Sequence, residues 1–193
     1  MNIKHSKEAI LKIGMELFRT NGYNKTGTNE ILKAAGISRG SFYNFFKDKE
    51  DFGLQALKYY TDGAVDFMEQ ILTDQSRSPL KRIRFMFTDF IATYKSLEFK
   101  WGCLLAGMSL ELGRVNENFE EATLEEYRRY VEVLEKCIKE GQKVGEIRKD
   151  YSGKKLAIYT FSSYNGALVM MKAGMGSEPL DNFLKQGLAY LKS

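Results

Sequence analysis

Histidine is nearly missing from this chain. His5 is the single one among 193 residues, so there is no histidine pair to hold a metal and none downstream to serve a nucleophile. Cysteine is almost as scarce. Cys103 and Cys137 lie far apart without Cys-x-x-Cys spacing, which argues against both a disulfide framework and a zinc site. Proline occurs only at positions 79 and 179, and sustained period-two alternation is absent, so the expected fold class is all-α. No apolar run approaches the ~20 residues of a membrane span. Residues 1–7 read as a basic arm rather than a signal peptide, so a cytoplasmic location is expected. Phosphate-loop and dinucleotide-fingerprint glycine patterns are also missing, and no cofactor is expected. One enzymatic hook exists: Gly36-Ile37-Ser38-Arg39-Gly40 matches the nucleophile elbow of serine hydrolases. That motif requires a preceding strand and a later histidine, whereas here a helix precedes it and His5 lies upstream. The chain therefore reads as a binding protein and not an enzyme.

What the sequence does contain is concentrated near its start. Thr26 to Lys33 carries a capping hydroxyl, an acidic first turn and an apolar stripe, the start signals of a short helix. Gly36 stops it, because the chain must turn through the left-handed region that glycine enters at no steric cost. Ser38 is placed to cap a second short helix, in which Phe42 and Phe46 share one face four residues apart. Arg39, Ser41, Tyr43, Asn44 and Phe45 are left for the other faces. Cationic, hydroxyl and amide side chains at the start of such a helix can reach phosphates and base edges in a DNA major groove. Lys49, one turn later, can pair with a backbone phosphate.

Charge distribution supports the same reading independently. Residues 1–50 hold nine Lys/Arg against five Asp/Glu, while residues 51–193 hold 20 of each sign. The whole net excess of +4 thus sits beside the candidate DNA-contacting helix.

The run Ala35 through Phe46, followed by Lys49, resembles the N-terminal domain of the TetR family of bacterial transcriptional regulators, whose pattern is roughly Ala-Gly-Val-Ser-Lys-Gly-Thr-Leu-Tyr-His-His-Phe and then Lys. The resemblance implies a three-helix helix-turn-helix domain over residues 1–48 and a helical effector-binding and dimerisation domain over 49–193. It implies DNA contacts by Thr26, Thr28, Ser38, Arg39, Gly40, Ser41, Tyr43, Asn44, Phe45 and Lys49, with Phe42 and Phe46 in the core. Two departures stand out: Leu32 replaces the usual small alanine, and Asn44-Phe45 replaces the histidine pair. Asn44 can read adenine and Phe45 can touch a thymine methyl, so the base preference is this chain's own.

Helices are expected over about residues 6–21, 49–72, 79–97, 102–112, 117–141, 153–173 and 178–192, with Ile10, Ile13, Leu17 and Phe18 inward on the first. Residues 141–153 read as a loop whose Gly145-Glu146-Ile147-Arg148 resembles a turn common in the family. Leu180, Phe183, Leu184, Gly187, Leu188 and Leu191 form an apolar stripe, and the helix before it is apolar almost all round. Such stripes serve either the protomer's core or a partner. The family's antiparallel packing of these two helices implies a homodimer through Phe161, Leu168, Phe183, Leu184, Leu188 and Leu191. Its effector pocket implies a small apolar or aromatic ligand lined by Phe90, Tyr94, Trp101, Met108, Tyr127 and Tyr164. The function expected from the resemblance is a ligand-responsive regulator, a repressor that binds a palindromic double-stranded DNA operator as a dimer. The alternative is a redox or electrophile sensor acting through Cys103, because Gly102-Cys103-Leu104 resembles a segment found in members that sense through a cysteine.

Overall fold

The structure, a computed structural model, describes residues 6–192; of the basic arm read at residues 1–7, residues 1–5, with His5, lie outside them. Among the described residues every regular element is helical, apart from one isolated bridge between Ile147 and Lys192. The helices are α1 (Lys7–Asn21), α2 (Thr28–Ala35), α3 (Arg39–Tyr43), α4 (Lys49–Leu72), α5 (Pro79–Ser96), α6 (Leu104–Leu112), α7 (Glu117–Lys143), α8 (Gly153–Met170) and α9 (Glu178–Asn182). They pack as two units, one comprising the described residues up to Gly63 with Cys103–Glu126, the other Ala64–Gly102 with residues from Tyr127 onward. This packing division falls within α4 at Gly63, with the first part of α4, α6 and the start of α7 in the same unit as the helix-turn-helix segment.

The first unit is organised by its caps and its rings. Ser6 caps α1 by accepting from Ala9 N at 3.2 Å. At the start of α4, Asp48 accepts from Asp51 N at 2.8 Å while Asp51 accepts from Lys47 N at 2.9 Å, a reciprocal arrangement that satisfies two otherwise unpaired amides. Phe52 on α4 lies 5.3 Å from Phe42, 4.8 Å from Phe46 and 5.8 Å from Phe18, ring centre to ring centre. The α1 backbone comes closest to this cluster at Gly14, where an added Cβ would lie 2.1 Å from the Phe52 ring. Accordingly α1 buries Ile10, Leu11, Gly14 and Phe18, while Ile13 and Leu17, expected inside, are half-buried.

The second unit is built around Phe87, whose ring lies 4.9 Å from Phe183, 5.0 Å from Tyr164 and 5.9 Å from Phe161. Helix α7 runs to Lys143, beyond the expected stop at 141. The segment expected as one helix over 178–192 breaks after Asn182 into a π-helical turn, Phe183–Gly187, and a short 3-10 turn, Ala189–Leu191. Leu188 N reaches back to Phe183 O at 3.0 Å, and this wider turn keeps Phe183, Leu188 and Leu191 on the inner side. Phe161, Leu168, Phe183, Leu188 and Leu191 are all buried within the protomer and Leu184 is half-buried. The stripe read as a partner surface is thus spent on the protomer's own core. The outward side of α8 instead carries Ile158, Tyr159, Ser162, Gly166, Val169 and Met170.

Candidate DNA-binding interface

Helix α2 ends where Gly36 enters the left-handed region at φ 64° and Ile37 N bonds Leu32 O at 3.2 Å. Two residues later Ser38 starts α3, its Oγ accepting from Ser41 N at 3.1 Å and pairing with Ser41 Oγ at 2.9 Å. Phe42 and Phe46 go fully inward, and that anchoring decides which side of α3 is left to the outside. Ser38, Arg39, Gly40, Tyr43 and Asn44 are exposed, and Ser41 and Phe45 half-buried. Tyr43 stands edge-on to Phe42 at 5.4 Å, which holds its ring while the hydroxyl end stays in solvent. The guanidinium of Arg39 donates from Nη2 to Asn29 Oδ1 at 2.7 Å, tying α3 to the first turn of α2. Thr28, at the start of α2, is half-buried.

Two expected contacts are placed differently. Thr26 is fully buried, its Oγ1 donating to Gly22 O at 2.8 Å, so it braces the α1–α2 turn and offers nothing to a ligand. The cap position of α2 falls to Gly27, without a side-chain bond. Lys49 also faces this turn: its Nζ donates to Tyr23 O at 2.8 Å and sits 4.2 Å from the centre of the Tyr23 ring. Burial lowers the Lys49 pKa, and the Glu111 carboxylate opposes that shift. An ammonium has three donors, so this bond leaves N–H groups for a phosphate while fixing where they point. The buried Tyr23 phenol is pushed up to about 12 by desolvation, with Glu50 and Asp48 adding to it, and stays protonated.

Glu111 was not legible as part of this arrangement. From α6 its carboxylate accepts from Tyr23 N at 3.0 Å and Asn24 N at 2.8 Å, closing the turn from the other side. Glu50 likewise accepts from Asn116 and Asn118, fastening the start of α7 to α4. Glu111→Gln removes the charge and one acceptor, and is expected to cost about 2 kcal/mol. Amide exchange at Tyr23 and Asn24 should quicken at least about tenfold, as a stability loss of that size implies. Unchanged exchange at both amides would remove Glu111 from the support of the turn.

The residues expected around an effector divide between the units. Phe90, Tyr94, Trp101, Tyr127 and Tyr164 belong to the second, where Phe90 and Tyr164 stack at 6.3 Å; Met108 belongs to the first and is buried there. Cys103 is half-buried at the cap position of α6, with the Tyr60 hydroxyl 3.8 Å from Sγ. Cys137 is buried, its Sγ 3.5 Å from Pro79 O, and burial pushes its thiol up to about 12.

A short helix anchored by two phenylalanines, capped by serine and turned from its predecessor by glycine, presenting arginine, tyrosine and asparagine outward, defines a helix-turn-helix DNA-binding protein. Residues 10–55 match the domain described as bacterial regulatory proteins, tetR family, and residues 79–186 the domain described as tetracyclin repressor-like, C-terminal. The chain belongs to the TetR family and is a ligand-responsive, DNA-binding transcriptional regulator. It is 33% identical to the transcriptional repressor DhaR of Mycobacterium sp. (strain GP1), over 92% of this chain and 88% of that one. To the transcriptional regulator AcuR of Cereibacter sphaeroides it is 29% identical, over 92% of this chain and 81% of the relative. The crystal structure of a regulatory protein TetR from Rhodobacter sphaeroides superposes with a TM-score of 0.91 at 27% identity, covering 95% of this chain and 97% of the other. Regulators of this family bind operator DNA and effector ligands and are dimers. No helix among the described residues is long and apolar enough to cross a membrane.

Proposed function

We propose that this chain is a homodimeric repressor that grips a palindromic operator in the bacterial cytoplasm through two copies of the α2–α3 surface and is released by a small apolar or aromatic effector. The observation that carries the reading is the division of α3 into a side buried by Phe42 and Phe46 and an exposed side holding Arg39, Tyr43 and Asn44. In functional terms residues 1–48, with Lys49 at the start of α4, supply the DNA contacts, and the rest of residues 49–193 supplies ligand binding and self-association. Arg39, Gly40, Ser41, Asn44 and Phe45 approach bases or sugar. Thr28, Ser38, Tyr43 and Lys49 position the helix on phosphates. Two-fold symmetry in the protein then matches two-fold symmetry in the operator.

The effector part rests on the aromatic side chains of the second unit, where the half-buried Phe90 stacks on Tyr164. A ligand shifts operator affinity only by preferring the conformation that cannot bind DNA, and a coupling of about 1–3 kcal/mol gives a 5- to 150-fold change. The experiment titrates the purified protein against operator fragments selected from genomic DNA, with and without a panel of small aromatic and aliphatic compounds. Trp101 fluorescence follows binding in parallel. The expected result is release by one chemical class, abolished in Phe90→Ser with operator affinity retained. A second reading is favoured by Cys103, half-buried with the Tyr60 hydroxyl donating to its Sγ at 3.8 Å: release by an oxidant or electrophile at that thiol. Release that survives Phe90→Ser, vanishes in Cys103→Ser and needs such a reagent replaces the first reading with the second.

A further inference from the structure

We infer that Asn29 is a specificity-determining positioning residue, which holds the Arg39 guanidinium as a preset reader of guanine. The inference rests on the reading of α2–α3 as the DNA-contacting face and goes beyond it in naming the residue that orients the contact and the base selected. Asn29 lies exposed in the first turn of α2, and its Oδ1 accepts from Arg39 Nη2 at 2.7 Å. A guanidinium has five N–H donors in a rigid fork. One bond to Asn29 leaves the others for the two acceptors, O6 and N7, that guanine displays in the major groove.

The choice of a neutral anchor matters. A carboxylate at position 29 would orient the arginine equally well but would cancel its charge and repel the phosphates. An amide orients it and leaves its attraction for DNA intact. The adjacent acid does not compete, because Glu30 accepts from Asn21 Nδ2 at 3.0 Å. A free arginine must also be ordered on binding, and an anchored one has already lost much of that freedom.

The test is selection of binding sites from a randomised duplex library by the full chain, followed by affinity titrations over a range of salt. The wild type should enrich guanine at one position of each half-site. Asn29→Ala should reduce the preference for guanine over adenine there by about fivefold to tenfold, a fraction of the discrimination a bidentate arginine provides. Binding to unrelated DNA and the slope of log affinity against log salt should not change. Arg39→Ala should abolish the preference, and adding Asn29→Ala to it should change nothing further. Asn29→Asp should weaken binding to all sequences. A wild-type base preference in Asn29→Ala overturns the inference, as does a salt slope reduced by about one, which would mark Asn29 as a phosphate contact. Loss in Asn29→Ala of an adenine preference that Arg39→Ala retains also overturns it, since Asn29 would then read a base itself. Enrichment of no sequence by the wild type overturns the repressor reading as well as this one, so the two failures are distinguishable.

Discussion

Met170→Glu is expected to yield a folded monomer that binds operator at least 100-fold more weakly than the wild type. Between Lys155 and Lys172 no charged residue occurs, although α8 keeps one whole side out of the protomer's core. Met170 on that side is 48% exposed. It borders a surface hollow of about 440 Å³ lined also by Tyr159, Ser163, Gly166, Met175, Asn182 and Gln186. A two-fold interface built on this side brings each substituted position in twice, so each glutamate loses its water without gaining a partner. Loss of the dimer then turns a bivalent grip on two half-sites into a monovalent one, and linked sites commonly gain 10²- to 10⁴-fold, roughly, over single ones. Phe183 makes the useful contrast. At 3% exposure, with its ring 5.3 Å from Tyr164, it belongs to the core, so Phe183→Glu should unfold the protein. Sedimentation combined with thermal melting separates the two cases. A Met170→Glu protein that remains dimeric at micromolar concentration would place the interface elsewhere.

That contrast shows what the sequence could and could not convey. Local signals were legible because their partners lie within one turn: Ser38 caps α3, Gly36 stops α2, and Phe42 and Phe46 share a face. Apolar periodicity in residues 180–191 was legible as burial, but a stripe does not say what covers it, and here the protomer itself does. Which side of α8 faces outward was not legible, because Ile158, Tyr159, Val169 and Met170 are of types that also fill cores. The break after Asn182 was invisible for a similar reason, since a π-helical turn adds one residue without disturbing the apolar pattern enough to mark it. At the proposed DNA-contacting surface, the family resemblance singled out Thr26 and Lys49 but could not show that both face the α1–α2 turn. The carboxylate completing that turn comes from Glu111, 88 residues beyond Tyr23, and no local pattern announces such a partner. Asn29 counted only as part of a helix start, because its bond to Arg39 crosses the turn between two helices.

Arg82→Ala is expected to destabilise the fold by about 3 kcal/mol, whereas Glu140→Gln, its partner's neutral counterpart, should cost under about 1 kcal/mol. The asymmetry follows from where the two ends of the pair lie. Arg82 is 3% exposed, and its guanidinium donates from Nη1 to Leu72 O at 2.9 Å, from Nε to Arg77 O at 2.8 Å and from Nη2 to Gln75 Oε1 at 2.9 Å. It therefore joins the end of α4, the connection that follows and the first turns of α5, and the Leu72 carbonyl it reaches is buried. Glu140, 2.7 Å from Nη1, has a side chain 44% exposed and can turn to water when the charge is lost. Truncating the arginine strands the Leu72 carbonyl in the interior and leaves a void where the guanidinium stood, while removing the carboxylate charge leaves the other three bonds in place. For a chain of this size the larger loss corresponds to a fall in Tm of roughly 6–12 °C and the smaller to a few degrees at most. Denaturant titrations of both variants, read with the operator affinity of whatever remains folded, check the argument. Equal losses for the two substitutions would mean that the ion pair, and not the three bonds to the connection, carries the stability of this corner.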